Sequence, residues 1–427
     1  MNILKEVLKH EVFPALGCTE PIAIAYAASI AAKEIEGEIE EIYITVDPGV
    51  YKNGFAVTVP NTGGEKGNLI AGVLGALIKK PELKMEILQK VSDEEIRHAK
   101  ALIQAGKAKI SYDNSKTDLY VEVFVKSEKS SARAVIQNTH TNLVVLEKDS
   151  QFLVKKEQKD KSSAGHEYRT ILLEMQISEL IEIAQQIDDE DYDYIKSGID
   201  MNLEISKAGQ KLHKVGYYIY KLVQRGLILD DTFSSSKILT ASAADARMAG
   251  LNFPVMSSGG SGNQGIVAIL VPYNVGKFFK IKERRIVESI ALSHLINSYV
   301  KCFTGDLSPI CGCAIAAGVG AAIAIVFQQY SNDMEKITLA VNNLISDLGG
   351  MLCDGAKGGC ALKVASSTNS AIRSAYMALN NYGISEAEGF VGKSAEDTIC
   401  NLSKISILGM AEVDDTILGI MRDKTLS

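Results

Sequence analysis

Three things this sequence of 427 residues lacks each remove a class of protein. It has no excess of basic charge. The formal net charge is −7, so no broad cationic face is available for a nucleic acid or an anionic membrane. It has no continuous apolar stretch at the start, where MNILKEVLKHEVFPALG carries charges every few residues. That pattern excludes a signal peptide and predicts an amphipathic helix. No export signal accompanies the seven cysteines, which argues for reduced thiols, metal ligation or catalysis in a cytoplasmic protein and against a disulfide framework. Tryptophan is also absent, which excludes nothing.

What is there is ordinary for a globular chain: 46% hydrophobic and 23% charged residues, with length for about two or three domains. Residues 310–328 (ICGCAIAAGVGAAIAIVFQ) are uncharged over the length of a membrane span. The run is rich in Ala and Gly, starts beside Pro309, and lacks basic flanks. A close-packed helix at the centre of a helical bundle is the expectation, with no membrane partner.

The periodicity predicts helices over about 2–13 and 20–36, then strands at 41–47, 55–59, 107–113, 118–127, 131–138 and 141–149, with a helix-rich stretch at 67–105. The polar run KKEQKDKSSAGHEYR (155–169) reads as a surface connection and domain boundary. Beyond it the pattern is helical. The fold class expected is α+β: residues 1–160 form a small, mostly antiparallel sheet covered by helices, and residues 161–427 a mainly helical domain. The first two helices are candidates to pack on that helical part. No internal repeat or low-complexity tail is found.

Six stretches rich in Gly, Ser, Asn and Cys read as loops: 60–68, 138–142, 242–248, 257–265, 308–313 and 353–360. Each offers backbone N–H groups and short polar side chains beside a predicted helix start, where an amino-acid carboxylate can bind. Taken singly each is a capped turn; together they suggest a shared site. Cys311 and Cys313 are placed in the first turn of the apolar helix, Cys353 follows a helix end, and Cys360 opens the next helix. Helix N-termini favour thiolates, the form that binds iron or zinc. The spacing matches neither a zinc knuckle nor a bacterial ferredoxin run. Cys302 and Cys400, inside helical patterns, are read as small buried hydrophobes.

The motifs ALGCTEP (15–21), VTVPNTGG (57–64), THTN (139–142), SAADARM (242–248), SGGSGNQG, LSHL (292–295), LSPICGCAIAA (307–317) and CDGAKGGCALKV (353–364) resemble the L-cysteine desulfidase family. Over its cysteine-bearing helical part that family is similar to the α-chain of iron–sulfur L-serine dehydratases. The resemblance covers 5–408. It implies a [4Fe–4S] cluster on three cysteines with one iron free for substrate, the matching positions being Cys311, Cys353 and Cys360. Cys313 is a neighbour without a matched role, and Cys18 matches a family cysteine. Ala244 stands where relatives carry Ser.

The resemblance implies β-elimination of L-cysteine to pyruvate, ammonia and sulfide. An iron with an open position polarises the leaving sulfur, and no pyridoxal phosphate signature competes with it. The base for the α-proton is left open among His140, Glu20 and Cys18. Thr19, Asn61, Thr62, Thr141, Asn142, Ser261, Asn263 and Gln264 are candidates to hold the substrate, with Arg247 as a bidentate carboxylate clamp. The rival for Arg247 is an internal ion pair with Asp245. A homodimer is a candidate assembly. Rival functions are an iron–sulfur serine or threonine dehydratase, a non-enzymatic iron–sulfur sensor (for which no partner-binding module is found) and a zinc structural protein.

Overall fold

The computed structural model describes residues 1–116, 118–156, 167–305, 308–330 and 332–426. Most of the boundary placed at 155–169 falls on 157–166, outside the described residues.

The N-terminal half runs α1 (Ile3–Glu11), β1 (Pro14–Ala15), α2 (Thr19–Glu34), β2 (Glu41–Val46), α3 (Pro48–Gly54), α4 (Asn68–Ile78), α5 (Asp93–Gln104), β3 (Ala108–Tyr112), β4 (Tyr120–Lys126), β5 (Ser131–Gln137), β6 (Leu143–Lys148) and β7 (Gln151–Lys155). Six of these strands form one sheet in the order β3-β2-β4-β5-β6-β7, antiparallel except for the β2–β3 pair. Alternation decides its faces. Ile42, Ile44, Val46, Val121, Val123, Val125, Ala132, Ala134 and Ile136 are buried under α2 and α4, while Tyr43 is exposed on the other face. On that outer face Arg133 bridges Glu122 and Glu147 at 2.8 and 2.9 Å.

The rest is helical apart from β8 (Val255–Met256): α6 (Glu167–Glu174), α7 (Ile177–Gln185), α8 (Asp189–Gly209), α9 (Val215–Gln224), α10 (Thr232–Met248), α11 (Gly262–Phe278), α12 (Glu283–Thr304), α13 (Ala316–Tyr330), α14 (Met334–Leu348), α15 (Cys360–Leu379), α16 (Ala395–Lys404) and α17 (Val413–Leu426). The α+β class and the helical second half match the sequence. The apolar run does form the central helix: α13 is enclosed by α11, α12, α14 and α15. Its small residues permit that packing, since a Cβ on Gly320 would lie 2.6 Å from the Ser293 carbonyl oxygen. Among the described residues no helix is long and apolar enough to cross a membrane.

Four local readings need correction. Residues 55–59 form no strand. Only Thr58 pairs, with Lys66, because Pro60 and the left-handed Asn61 (φ 59°) fold the chain straight back. Residues 242–248 are not a loop but the last two turns of α10. Their small side chains serve close helix contacts: a Cβ on Gly209 would meet the Ser242 carbonyl oxygen at 1.8 Å. Cys311 and Cys313 precede α13 instead of opening it, since the backbone there pairs with residues 351–353. Strand β7 is an edge strand that the sequence pattern does not predict.

The ends of the chain cross over. Helix α1 buries Ile3, Leu4, Val7 and Leu8 in the helical core, and β1 pairs with β8. Helix α17 sends Leu418 into the sheet's core. It also supplies Asp414, 2.6 Å from Lys52 on α3, a lysine side chain only 2% exposed. Removing that carboxylate strands a buried ammonium. Asp414→Ala is therefore expected to lower stability by about 3 kcal/mol, measured as a lower urea midpoint with an unchanged slope.

Candidate active site

Three backbone contacts assemble the cysteines. The Cys311 N–H donates to Met351 O at 2.8 Å and the Cys353 N–H to Pro309 O at 2.7 Å, clamping residues 309–313 against 351–353. The Ala356 N–H then donates to Asn53 O at 3.2 Å. A Cβ on Gly355 would lie 2.1 Å from Lys52 O, so the cysteine loop rests directly on α3. Cys360 opens α15.

Cys311, Cys313, Cys353 and Cys360 lie close enough to act on one another's ionisation. Cys311 and Cys313 share a 3.3 Å sulfur–sulfur hydrogen bond. That bond holds Cys311 down to about 7, with help from the Lys363 charge, and pushes Cys313 up. Burial raises Cys353 and Cys360, with Lys52 and Lys363 opposing it respectively. Such a set of soft donors with lysines nearby fits a cluster of thiolate-bound iron. Among the described residues no three His, Cys, Asp or Glu side chains converge to hold a single metal ion. A cubane does not require that convergence, because each thiolate binds a different iron.

The N-terminal half delivers the second component. Cys18 precedes α2 and packs with Val57, Met248, Cys360 and Ala356. The Cys18 thiol donates to Glu20 Oε2 at 2.8 Å, Thr19 Oγ1 to the same oxygen at 3.2 Å, and Asn53 Nδ2 to Glu20 Oε1 at 3.1 Å. Burial pushes Glu20 up, but the His140 charge, the Cys18 hydrogen bond and Asn53 outweigh it, and its pKa ends below the usual value. Cys18 is driven well above its ordinary value by burial and by the Glu20 charge, against the pull of Arg247. At neutral pH the pair is therefore a carboxylate accepting from a thiol.

The third component is the loop 257–262 and the start of α11. Gly259 and Gly260 have positive φ (54° and 72°), which turns the chain into α11. Gln264 lies against the CGC turn, where a Cβ on Gly312 would come within 2.7 Å of its Nε2. Arg247 lies against the helix start, where a Cβ on Gly262 would be 2.4 Å from its Nε. Arg247 is 5% exposed, its Nε has no hydrogen-bond partner, and it forms no ion pair among the described residues. The buried Oδ1 of Asn263 and Oε1 of Gln264 are unpartnered as well. Helix α12 supports the loop from behind: His294 Nδ1 and Asn297 Nδ2 both lie 2.9 Å from Ser258 Oγ. Burial holds His294 down to about 3, so it stays neutral.

The profile of the serine dehydratase α-chain family matches residues 82–419, most of the chain. The UPF0597 protein of Geobacter sulfurreducens is 61% identical over 424 residues, covering 99% of each chain. Those of Elusimicrobium minutum and Clostridium tetani are 53% and 40% identical over the same length. The chain belongs to the UPF0597 family and carries the serine dehydratase α-chain domain. That domain contains Cys311, Cys313, Cys353, Cys360, Arg247 and the 257–265 loop. Cys18, Glu20 and Asn53 precede it, so the buried, hydrogen-bonded Glu20 carboxylate comes from outside the matched domain.

Other sequence-selected residues are committed elsewhere. Asn61 Nδ2 donates to the Leu88 and Gln89 carbonyls at 3.0 and 3.1 Å, and Thr62 Oγ1 to Val59 O at 2.7 Å, so both shape their own turn. Thr141 is exposed, and Asn142 Nδ2 donates to Gln137 O at 3.0 Å within the β5–β6 turn. Ser261 is the N-cap residue of α11. Sequence reasoning missed Asn53, which no motif marks. It also missed the role of His294, although the LSHL motif contained it.

Asp245 does not pair with Arg247. Its Oδ2 accepts from the Gly216 N–H at 2.8 Å, capping α9, while its Oδ1 is buried and unpartnered. Burial raises its pKa to about 6. The folded state thus holds the proton more tightly than the unfolded chain, and stability falls as pH rises from about 4 to about 6. Asp245→Asn keeps an acceptor for Gly216 and removes that loss. Its stability advantage over the parent should grow across this window to at most about 3 kcal/mol at pH 7. Denaturant midpoints at pH 4.5 and pH 7, chosen at roughly the two ends of that window, check it.

Proposed function

We propose that the protein is an iron–sulfur lyase that eliminates sulfide from L-cysteine, leaving pyruvate and ammonia. The observation that carries this reading is the buried, unpaired Arg247 beside a gathered set of thiols and an ionised Glu20. Cys311, Cys353 and Cys360 would hold a [4Fe–4S] cluster, which would supply a Lewis-acidic iron for the departing sulfur.

The chain's own groups do the rest. Arg247 and the N–H groups at the start of α11 bind the substrate carboxylate, which neutralises a charge otherwise buried without a partner. Asn263 Oδ1 and Gln264 Oε1, both unpartnered, accept from the ammonium group. Glu20 takes the α-proton. It is ionised at neutral pH, and the Cys18 thiol and Asn53 amide fix its two oxygens. The electron pair of the broken Cα–H bond forms the Cα–Cβ double bond as sulfide leaves with the Cβ–S pair. The resulting aminoacrylate tautomerises and is hydrolysed by water to pyruvate and ammonia.

The test is anaerobic assay of reconstituted protein for sulfide and pyruvate from L-cysteine. Equal amounts of both support the reading. The family description favours one rival, a serine dehydratase. Pyruvate from L-serine with no sulfide from L-cysteine would replace the reading by that one.

A further inference from the structure

Cys18, Val57, Met248, Cys360 and Ala356 form a small cluster of their own, separate from the two large hydrophobic cores. It joins elements that otherwise belong to different halves of the chain: the start of α2, the segment after α3, the end of α10 and the start of α15. Met248 follows Arg247 at the end of α10, and both side chains meet the start of α11: Met248 Sδ at Asn263 and Arg247 Nε at Gly262. Cys360, a ligand position in the proposed reading, belongs to the same cluster.

The chemistry of this wall is restricted. The Cys18 thiol is committed to Glu20, Met248 Sδ accepts from Asn263 Nδ2 at 3.8 Å, and Cys360 Sγ faces Gly355 O at 3.6 Å. Val57 and Ala356 add only carbon. The wall itself carries no side-chain nitrogen or oxygen, and its sulfurs are only weak hydrogen-bonding groups. A hydroxyl moved from water to such a surface loses about 1–3 kcal/mol. A thiol, a weak donor that behaves as a small hydrophobe, loses much less.

We infer that this carbon-and-sulfur wall selects β-thiol over β-hydroxy amino acids, with Met248 and Val57 as the specificity-determining side chains. The inference rests on the proposed reading for the location of the substrate, and it concerns a preference separate from that of iron. Iron by itself favours sulfur, so the wall must be measured without it.

Calorimetric titration of cluster-free protein with 3-mercaptopropionate and 3-hydroxypropionate does this. These two probes differ only in the β-substituent and lack the amine needed for turnover. The parent protein should bind the thiol at least about tenfold more tightly. Val57→Thr and Met248→Gln each put a polar group in the wall and should each narrow that ratio by about fivefold. Two variants at different elements, each checked by its melting temperature, guard against failure of one to fold. Equal binding of the probes by the parent, binding of neither, or an unchanged ratio in both folded variants overturns the inference. Sulfide release from L-cysteine by the loaded parent, without any probe preference, defeats the wall alone. A preference without sulfide release defeats the proposed reaction and leaves the wall standing.

Discussion

Cys353→Ala protein should emerge colourless from anaerobic reconstitution with iron and sulfide, and the same holds for Cys311→Ala and Cys360→Ala. Each variant removes one of the three cysteines at the candidate ligand positions, which backbone contacts and the start of α15 place near one another. A cluster on two remaining ligands is not retained. Sulfide release should fall by about a hundredfold or more, since even outer-shell changes at metal sites cost up to about that much. Cys302→Ala and Cys400→Ala are the controls. Both residues neighbour the phenol of Tyr299, and both variants should keep the colour. Cys313→Ala should also keep it, because three ligands remain. Iron content per chain, read with visible absorption, checks the series.

Arg247→Met should move activity and stability in opposite directions. Arg247 is 5% exposed as a residue, and its buried Nε has no hydrogen-bond partner, an arrangement that costs the fold free energy. Methionine fills similar space without a charge, so the variant should unfold at a higher denaturant concentration than the parent. The same change removes the proposed carboxylate clamp. Loss of a charged partner in a buried pair costs about 3 kcal/mol, roughly a hundredfold in kcat/KM. Most of that loss should fall on KM, since the carboxylate is bound equally in ground and transition states. A merely structural arginine would give the opposite stability result. Lower stability together with unchanged KM would remove Arg247 from the site.

The long-period features of the fold were legible because they are local. Alternation in β2, β4 and β5 and the uncharged run of α13 each follow from the burial of one face or of all faces. Two misreadings came from patterns with more than one physical cause. The alternating valines of 55–59 look like a strand, yet Val57 is buried against Cys18 and Met248, and Pro60 ends any pairing. The small polar residues of 242–248 look like a loop, yet Ser242 is small because Gly209 and Gly216 press against it.

The site was legible in its motifs and not in its geometry. The cysteines around 311 and 353 were picked out from sequence, but the pairing of residues 309–311 with 351–353 that joins them is long-range. Asn53 lies in no recognisable pattern. It becomes visible only when α3 is seen holding Glu20 with its side chain and the cysteine loop with its carbonyl. Asn61 and Asn142 show the reverse case: polar residues in the right motifs whose amides are spent on their own turns.

The central claim is that these thiols hold an iron–sulfur cluster that acts on L-cysteine. The most direct measurement is the ultraviolet–visible spectrum of anaerobically reconstituted protein, recorded before and after addition of L-cysteine, with sulfide collected from the same sample. The account predicts a broad visible band that changes when L-cysteine is added and that disappears, together with sulfide release, when the iron is chelated. Colourless protein that binds zinc instead, or sulfide release that survives removal of the iron, would contradict it.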